Sequence, residues 1–470
     1  MVIQIMTFYD REDELAALDA EFEADRFGFV VLYGRRRVGK TELIKAFCAE
    51  RPSIYVLAAQ EAEARQREKL IERVADRAGD RVPRIDRWDE AFEYIGEILS
   101  KEKLVLAIDE FPYLVESNDS IPSYVQSMVD EQVTGSESLL ILCGSSVGVM
   151  ESEVLGHESP LYGRRTAQLD LDPFDFSVAR SVIGYGIEDA IRSYAVTGGT
   201  PMYLTAFDYD RPLGENVRQQ VLSKTSVLFN EPEFLLRTEL RNPGRYMSIL
   251  EAIAGGHTTP KEISGATDID SGPLSKYLRT LGRLRLIDRE VPVTATKEKS
   301  KRSRYRIADD FLRFWFRFVE PNRSGIEQAP DTVFENLITP AMPNYVATTF
   351  EDISQEVTWV ASETGAFQGQ YSTVGRWWYG GEEIDVVGLD PATEHILLGE
   401  CKWTNNPVGK NVVRDLDGKS DAVRWHDGSR TEEYAIFSRN GFEAGLRAEL
   451  NDRWSLFDLS AIEDFLTSDR

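Results

Sequence analysis

Cysteine and histidine are scarce, with three cysteines (Cys48, Cys143, Cys401) and four histidines scattered through 470 residues. Their spacing provides neither a disulfide framework nor the paired ligands of a zinc site, and each cysteine reads as a small buried side chain. No apolar run is long enough to cross a bilayer, so no membrane partner is expected. The opening stretch Met1-Val-Ile-Gln-Ile-Met-Thr7 runs directly into charged residues, unlike a secretory leader, and the expected location is cytoplasmic. Positive charge is also short: 54 Lys and Arg stand against 79 Asp and Glu, a net charge of -25. That balance excludes a chain that coats nucleic acid with its whole surface, while leaving room for a local basic patch. Among the cations, arginine outnumbers lysine 40 to 14, which fits either a salt-rich cytoplasm or a GC-rich genome. Internal repeats and long low-complexity tracts are absent as well.

What is present is a globular composition, 42% hydrophobic and 28% charged, long enough for roughly two to four domains. Three segments of different character follow one another. Residues 1–235 alternate apolar runs with helical stretches, predicting an α/β fold around a parallel sheet. Candidate strands are Phe27 to Tyr33, Ile54 to Ala58, Lys103 to Ile108 and Ser138 to Cys143. Residues 236–325 hold short helices and then a stretch rich in lysine and arginine. Residues 326–470 carry several Trp and Gly residues and a hairpin pattern.

The strongest chemical signal is Gly34-Arg35-Arg36-Arg37-Val38-Gly39-Lys40-Thr41, directly after the apolar run Phe27 to Tyr33 and before a helical pattern through Leu43, Ile44 and Phe47. A strand, a glycine-bracketed loop and a helix in that order point main-chain N–H groups and a helix N-terminus at phosphate oxygens. The site predicts ATP with Mg2+: Lys40 reaches the terminal phosphates and the Thr41 hydroxyl binds the metal. Leu104-Val-Leu-Ala-Ile108 then ends in Asp109-Glu110, where Asp109 supports the magnesium and Glu110 orients or deprotonates the attacking water. Together these elements predict hydrolysis of ATP, not binding alone.

Other positions keep two readings each. Ser145, at the tip of the run ending in Cys143, fits a sensor of the terminal phosphate or a plain serine-rich turn. Arg164 and Arg165 fit a charge-neutralising finger offered to a neighbouring subunit in a homo-oligomer, or a surface ion pair. Arg35, Arg36 and Arg37 either contact phosphate or are simply solvated. Phe8-Tyr-Asp-Arg-Glu12, the glycine-bracketed loop, Ala107-Ile-Asp-Glu-Phe-Pro112, Cys143-Gly-Ser-Ser146, Leu161-Tyr-Gly-Arg-Arg165 and Gly198-Gly-Thr-Pro-Met-Tyr-Leu204 occur in order. This series resembles the archaeal ATPase family of AAA-related, STAND-like phosphate-loop enzymes, over essentially the first 235 residues. The resemblance implies that residues 1–235 include a helical lid, in which Pro201 packs near the nucleotide base.

In the middle segment, helical patterns at Tyr246 to Ala254, from Thr258 and from Ser271 precede strand-like runs at Leu286 to Val293 and Ser303 to Ile307. That order predicts a winged helix-turn-helix. Lys297, Lys299, Lys301 and Arg302 on the wing, with Lys276 and Arg279 on the recognition helix, suit a DNA backbone; a protein-contact or lid role is the other reading. Asp309 to Phe318 predicts a helix with Phe311, Phe314, Trp315 and Phe318 packed into the core.

Further on, Glu382-Glu-Ile-Asp-Val-Val-Gly388 and His395-Ile-Leu-Leu-Gly-Glu-Cys-Lys-Trp403 flank Asp390-Pro-Ala-Thr-Glu394. Folding about the Ala392–Thr393 midpoint sets Asp385 opposite Glu400, with Cβ atoms ~5 Å apart. Period-two geometry puts Lys402 on the face of Glu400 and turns Cys401 away. Asp385 and Glu400, completed by Glu351, make oxygen ligands for Mg2+ or Mn2+, and Lys402 positions the nucleophile for phosphodiester hydrolysis. The pattern is similar to that of the PD-(D/E)xK nuclease superfamily across residues 334–440, departing where Ile384 replaces proline, and the resemblance implies a second α/β domain over 326–470. The combined expectation is an ATPase that controls a metal-dependent nuclease-like domain acting on DNA. The alternatives are an ATP-dependent DNA-binding regulator and a STAND-like oligomeric switch with an inactive nuclease fold.

Overall fold

The structure is a computed structural model describing residues 11–240, 242–296, 300, 302–426 and 428–467. Phe8 to Asp10 and the wing lysines Lys297, Lys299 and Lys301 lie outside the described residues. The chain forms two compact units, Met1–Pro173 and Phe174–Arg470.

The first unit is built on five parallel strands, β1 (Gly28–Gly34), β2 (Ser53–Leu57), β3 (Val105–Asp109), β4 (Leu139–Gly144) and β5 (Ala167–Leu171), in the order β2-β3-β4-β1-β5. Every residue of β1 is buried, which is why Gly-Phe-Val-Val-Leu-Tyr-Gly reads as one apolar run instead of alternating. Its side chains divide by parity. Phe29, Val31 and Tyr33 join the core lying under helices α3 (Glu63–Ala78) and α4 (Trp88–Lys101). Val30 and Leu32 join the core that Leu18 and Phe22 and then Leu43, Ile44 and Phe47 complete from helices α1 (Glu12–Glu23) and α2 (Lys40–Cys48). Helices on both faces leave the C-terminal strand ends as the exposed chemical edge.

The first four strands fall within one or two residues of the sequence expectation. β5 was not anticipated, because Ala-Gln-Leu-Asp-Leu alternates half-buried and exposed at the edge of the sheet. Cys143 is buried, whereas Cys48 and Cys401 are only partly so.

The second unit opens with helices that include Ile187–Thr197, Pro201–Leu204 and Val227–Glu239, so the 1–235 stretch is shared between the two units. Helices Gly244–Ala254, Pro260–Thr267 and Ser271–Arg283 come next, then an antiparallel pair, β6 (Ile287–Glu290) and β7 (Arg304–Ile307). Thr259 caps the second of these helices in a reciprocal box with Glu262. The aromatic helix starts at Asp310, capped by Asp309, which accepts the Leu312 N–H at 3.0 Å, and becomes π-helical over Trp315–Val319. Phe316 and Leu312 are as buried as Phe311, Phe314, Trp315 and Phe318, so burial extends beyond the four predicted core positions, while Arg317 stays exposed.

A mixed sheet follows: β8 (Thr373–Tyr379), β9 (Glu382–Asp390), β10 (His395–Lys402), β11 (Thr431–Ser438) and β12 (Trp454–Asp458), in the order β12-β11-β10-β9-β8. β8, β9 and β10 are antiparallel, while β10, β11 and β12 run parallel. The long helix Thr339–Glu363 and the helix Lys410–Ser420 pack against this sheet. Among the described residues, no helix is long and apolar enough to cross a membrane.

Candidate active site

Gly34 ends β1 with φ +151°, and a Cβ there would lie 2.2 Å from the Leu171 carbonyl oxygen, so only glycine lets the chain leave the sheet. Gly39, at φ +96°, turns the loop into α2. Between them Arg35 and Val38 are buried, Arg36 is half-buried and donates to the Tyr113 hydroxyl at 3.3 Å, and Arg37 is exposed. Lys40 is 5% exposed and bends back over the loop, donating to the carbonyls of Gly34 (2.9 Å) and Arg35 (2.6 Å). Burial lowers its ammonium pKa, against the pull of Cys143, Glu110 and Asp109.

The neighbouring strand ends complete the site. The Thr41 hydroxyl donates to Asp109 Oδ2 at 2.7 Å, and the Tyr55 hydroxyl donates to the same oxygen at 2.9 Å. Burial and the Asp109 charge raise the Tyr55 phenol, which keeps it a donor. Glu110 takes φ +54° and donates its N–H to Asp109 Oδ1 at 2.9 Å. Its carboxylate accepts the Ser145 hydroxyl at 2.7 Å and the Ser145 N–H at 3.4 Å. Because β3, β4 and β1 are adjacent, Thr41, Asp109, Glu110 and Ser145 meet at one edge of the sheet. Tyr55 lies outside the sequence motifs, whereas Arg11, quoted there only within Phe8 to Glu12, donates to the carbonyls of Val38 (3.3 Å) and Asp172 (2.8 Å) and so ties the chain ahead of α1 to the loop.

The remaining nucleotide-site candidates are Arg164, Arg165 and Pro201. Arg164 forms a two-pronged pair with Asp130, both contacts at 2.7 Å, and donates to the Pro160 carbonyl at 2.7 Å. Arg165 is half-buried, with Nη1 lacking a hydrogen-bond partner among the described residues. Pro201 belongs to the second unit, at the first position of its short helix. There Gly198 takes φ +61°, and a Cβ on Gly199 would lie 1.7 Å from the Phe174 carbonyl oxygen.

A second cluster forms in the mixed sheet. The β9–β10 ladder pairs His395 with Asp390 and Gly399 with Val386, a register centred between Ala392 and Thr393. Asp390 fixes the turn by accepting the N–H groups of Ala392 (3.0 Å) and Thr393 (3.3 Å). One step beyond the ladder, Asp385 Oδ2 accepts the Cys401 N–H at 2.8 Å. Burial, then repulsion from Glu351 and Glu400, pushes the Asp385 carboxyl up to about 7. Glu400 is 8% exposed; its Oε1 accepts Lys402 at 2.5 Å and its Oε2 accepts Lys419 at 2.9 Å. Burial disfavours the Lys402 ammonium, yet Glu400 outweighs it and holds that pKa above its usual value.

Glu351 is raised by burial and opposed by Arg376, whose Nε donates to it at 2.9 Å. Arg376 also pairs with Asp352 (2.9 Å) and Glu290 (3.2 Å), joining the long helix, β6 and β8. Lys419 and Arg376 were missed because each meets its partner across an intervening element, where no sequence spacing gives a signal. Among the described residues, no group of three or more His, Cys, Asp or Glu side chains is arranged to hold a metal ion.

A parallel sheet with a glycine-bracketed loop between β1 and α2, and paired acids at the end of β3, defines a P-loop ATPase with ATP as its substrate. Residues 8–207 match the family described as an ATPase domain predominantly from Archaea. Residues 315–414 match a family of archaeal and bacterial proteins of unknown function. The chain belongs to this archaeal ATPase family. It is 33% identical over 461 residues to an uncharacterized protein of Methanocaldococcus jannaschii, covering 97% of this chain and 100% of that one. Among solved structures, the Walker-type ATPase of Pyrococcus abyssi is 22% identical, with a TM-score of 0.49, over 66% of this chain and 96% of that chain. The ORC1 protein of Aeropyrum pernix in complex with DNA is 15% identical, with a TM-score of 0.34, over 69% and 93% of the two chains.

Proposed function

We propose that this ATPase controls a metal-dependent phosphodiesterase site in its C-terminal sheet, with DNA as the substrate. The observation that carries the reading is the placement of Asp385, Glu400 and Lys402 together at one end of the β9–β10 hairpin, largely enclosed. In the nucleotide site, Thr41 and Asp109 offer hard oxygen donors suited to Mg2+, Lys40 swings from the loop carbonyls to the terminal phosphates, and Glu110 orients the attacking water. Ser145 holds Glu110 and senses the terminal phosphate, while Arg165 serves a neighbouring copy. The proposed division is a nucleotide domain with lid over 1–235, a winged helix over 236–325 and a nuclease-like domain over 326–470, with Pro201 of the lid near the base.

At the second site, Asp385 and Glu400 are chemically suited to Mg2+ or Mn2+, which when bound polarises the phosphodiester and makes water a better nucleophile. Glu351 supports the shell through Asp385, and Lys402 positions the water as it adds to phosphorus and the P–O ester bond breaks. Purified protein is incubated with plasmid and Mg2+ or Mn2+, with and without ATP. Cleavage that depends on Glu400 and changes on Lys40→Ala supports the reading; intact DNA under every metal refutes it. One observation favours an inactive fold that only binds: both Glu400 oxygens already accept lysines. In that case DNA binds without being cut.

A further inference from the structure

We propose that the Lys419 ammonium is the resident competitor of a divalent cation at Glu400, and that it must leave for the metal to bind. The inference rests on the reading of Asp385 and Glu400 as a metal-dependent phosphodiesterase site. It begins from a mismatch: Mg2+ and Mn2+ need carboxylate oxygen directly, and each Glu400 oxygen already accepts an ammonium, at 2.5 Å from Lys402 and 2.9 Å from Lys419.

The two lysines are not equivalent. Lys402 lies two residues along the same strand, and the pleat sets its stem on the same face as Glu400. Lys419 comes from another element, the last turn of the helix Lys410–Ser420, and its long stem can change rotamer without moving backbone. It also has a place to go. Together with Glu400, Lys402, Arg414 and Asp415 it lines a cleft of about 720 Å³.

Charge balance makes the exchange necessary. With Asp385 and Glu400 ionised, the two lysines neutralise the pair, so a divalent ion added without displacement meets two like charges at close range. Released into the cleft, the Lys419 ammonium faces the volume a phosphate backbone would fill, and a phosphodiester supplies the negative charge it has given up. Metal and polyanion binding are therefore linked, each strengthening the other.

The test uses the full-length chain without nucleotide and reads bound Mn2+ from the loss of the free-ion electron paramagnetic resonance signal. Glu400→Gln, made in each background, defines the signal that belongs to this site. Lys419→Gln is expected to bind Mn2+ on the order of tenfold more tightly than wild type, equivalent to about 1.4 kcal/mol. Lys419→Arg keeps the charge and stays near wild type, and oligothymidylate tightens Mn2+ binding in wild type but much less in Lys419→Gln. Equal Glu400-dependent affinity in wild type and Lys419→Gln overturns the inference while leaving the phosphodiesterase reading in place. Absence of any Glu400-dependent Mn2+ in all chains, with and without oligothymidylate, overturns both.

Discussion

Asp385→Asn tests the electrostatics of the acid pair through stability alone, with metal chelated throughout. In the folded chain, burial and then Glu351 and Glu400 raise this carboxyl from an ordinary 3.8 to about 7. Between those values the native state holds a proton that the unfolded chain has released, so stability falls as pH rises through the window and levels off above it. One pKa unit corresponds to about 1.36 kcal/mol, so between pH 5 and pH 8 wild type loses up to about 3 kcal/mol that the variant retains. The asparagine oxygen can still accept the Cys401 N–H, which limits the cost of the substitution itself. Glu351 is raised too, and because it and Asp385 repel each other its own titration shifts when that charge is removed, so the difference between the two chains reports the coupled pair. Urea midpoints followed by tryptophan fluorescence suit the question: of eight tryptophans only Trp88 lies in the first unit, leaving seven in the second. A stability gap that stays constant from pH 5 to pH 8 would refute the argument, because it would mean that Asp385 ionises in the fold as it does in water.

Lys40→Ala removes the buried ammonium that spans the loop, and ATP turnover measured by phosphate release falls to background while the circular dichroism spectrum is unchanged. Gly34→Ala drives a Cβ to 2.2 Å from the Leu171 carbonyl oxygen at φ +151°, costing about 1–3 kcal/mol or more in thermal melts of the first unit. Arg376→Gln leaves Glu351 short of its cation and Asp352 with only one of its two arginines, lowering second-unit stability by about 3–5 kcal/mol in urea titration. Arg164→Ala breaks a partly exposed pair with Asp130 and moves stability by no more than about 1 kcal/mol, so any larger loss of ATP turnover marks a role beyond that pair.

Legibility from sequence tracked how local the physics was. β1 announced itself because both its faces are covered, and the loop after it because strand, glycines and helix lie within one short span. The β9–β10 register was legible from the turn alone, since Asp390 and the residues after it fix the midpoint and period two does the rest. β5 was hidden by its edge position, where one exposed side removes the apolar signature. In the aromatic helix the 3.6 spacing picks out Phe311, Phe314, Trp315 and Phe318, and Leu312 and Phe316, off that spacing, are buried as well. Arg376 and Lys419 were beyond reach for a different reason: their partners are chosen by the packing of the long helix and of Lys410–Ser420 on the sheet, and nothing near them in sequence encodes that choice.

The two acidic sites differ in what already faces their carboxylates, and that difference orders their metal requirements. At the end of β3, the hydrogen bonds to Asp109 and Glu110 come from neutral donors: the hydroxyls of Thr41, Tyr55 and Ser145, and main-chain N–H groups. Lys40 donates to carbonyl oxygens instead, so the carboxylate charge is left for a cation carried in with the nucleotide. At Glu400 the charge is already met by two ammonium groups, and a divalent ion has to displace one of them. Neutral donors reorient at little cost when a metal arrives, whereas separating an enclosed ion pair is expensive. ATP turnover is therefore expected to saturate at a lower Mg2+ concentration than any metal-dependent event at Glu400. Measuring both in one titration of the full chain decides the point, and a reversed order would show that the lysines at Glu400 are not competitors of the metal.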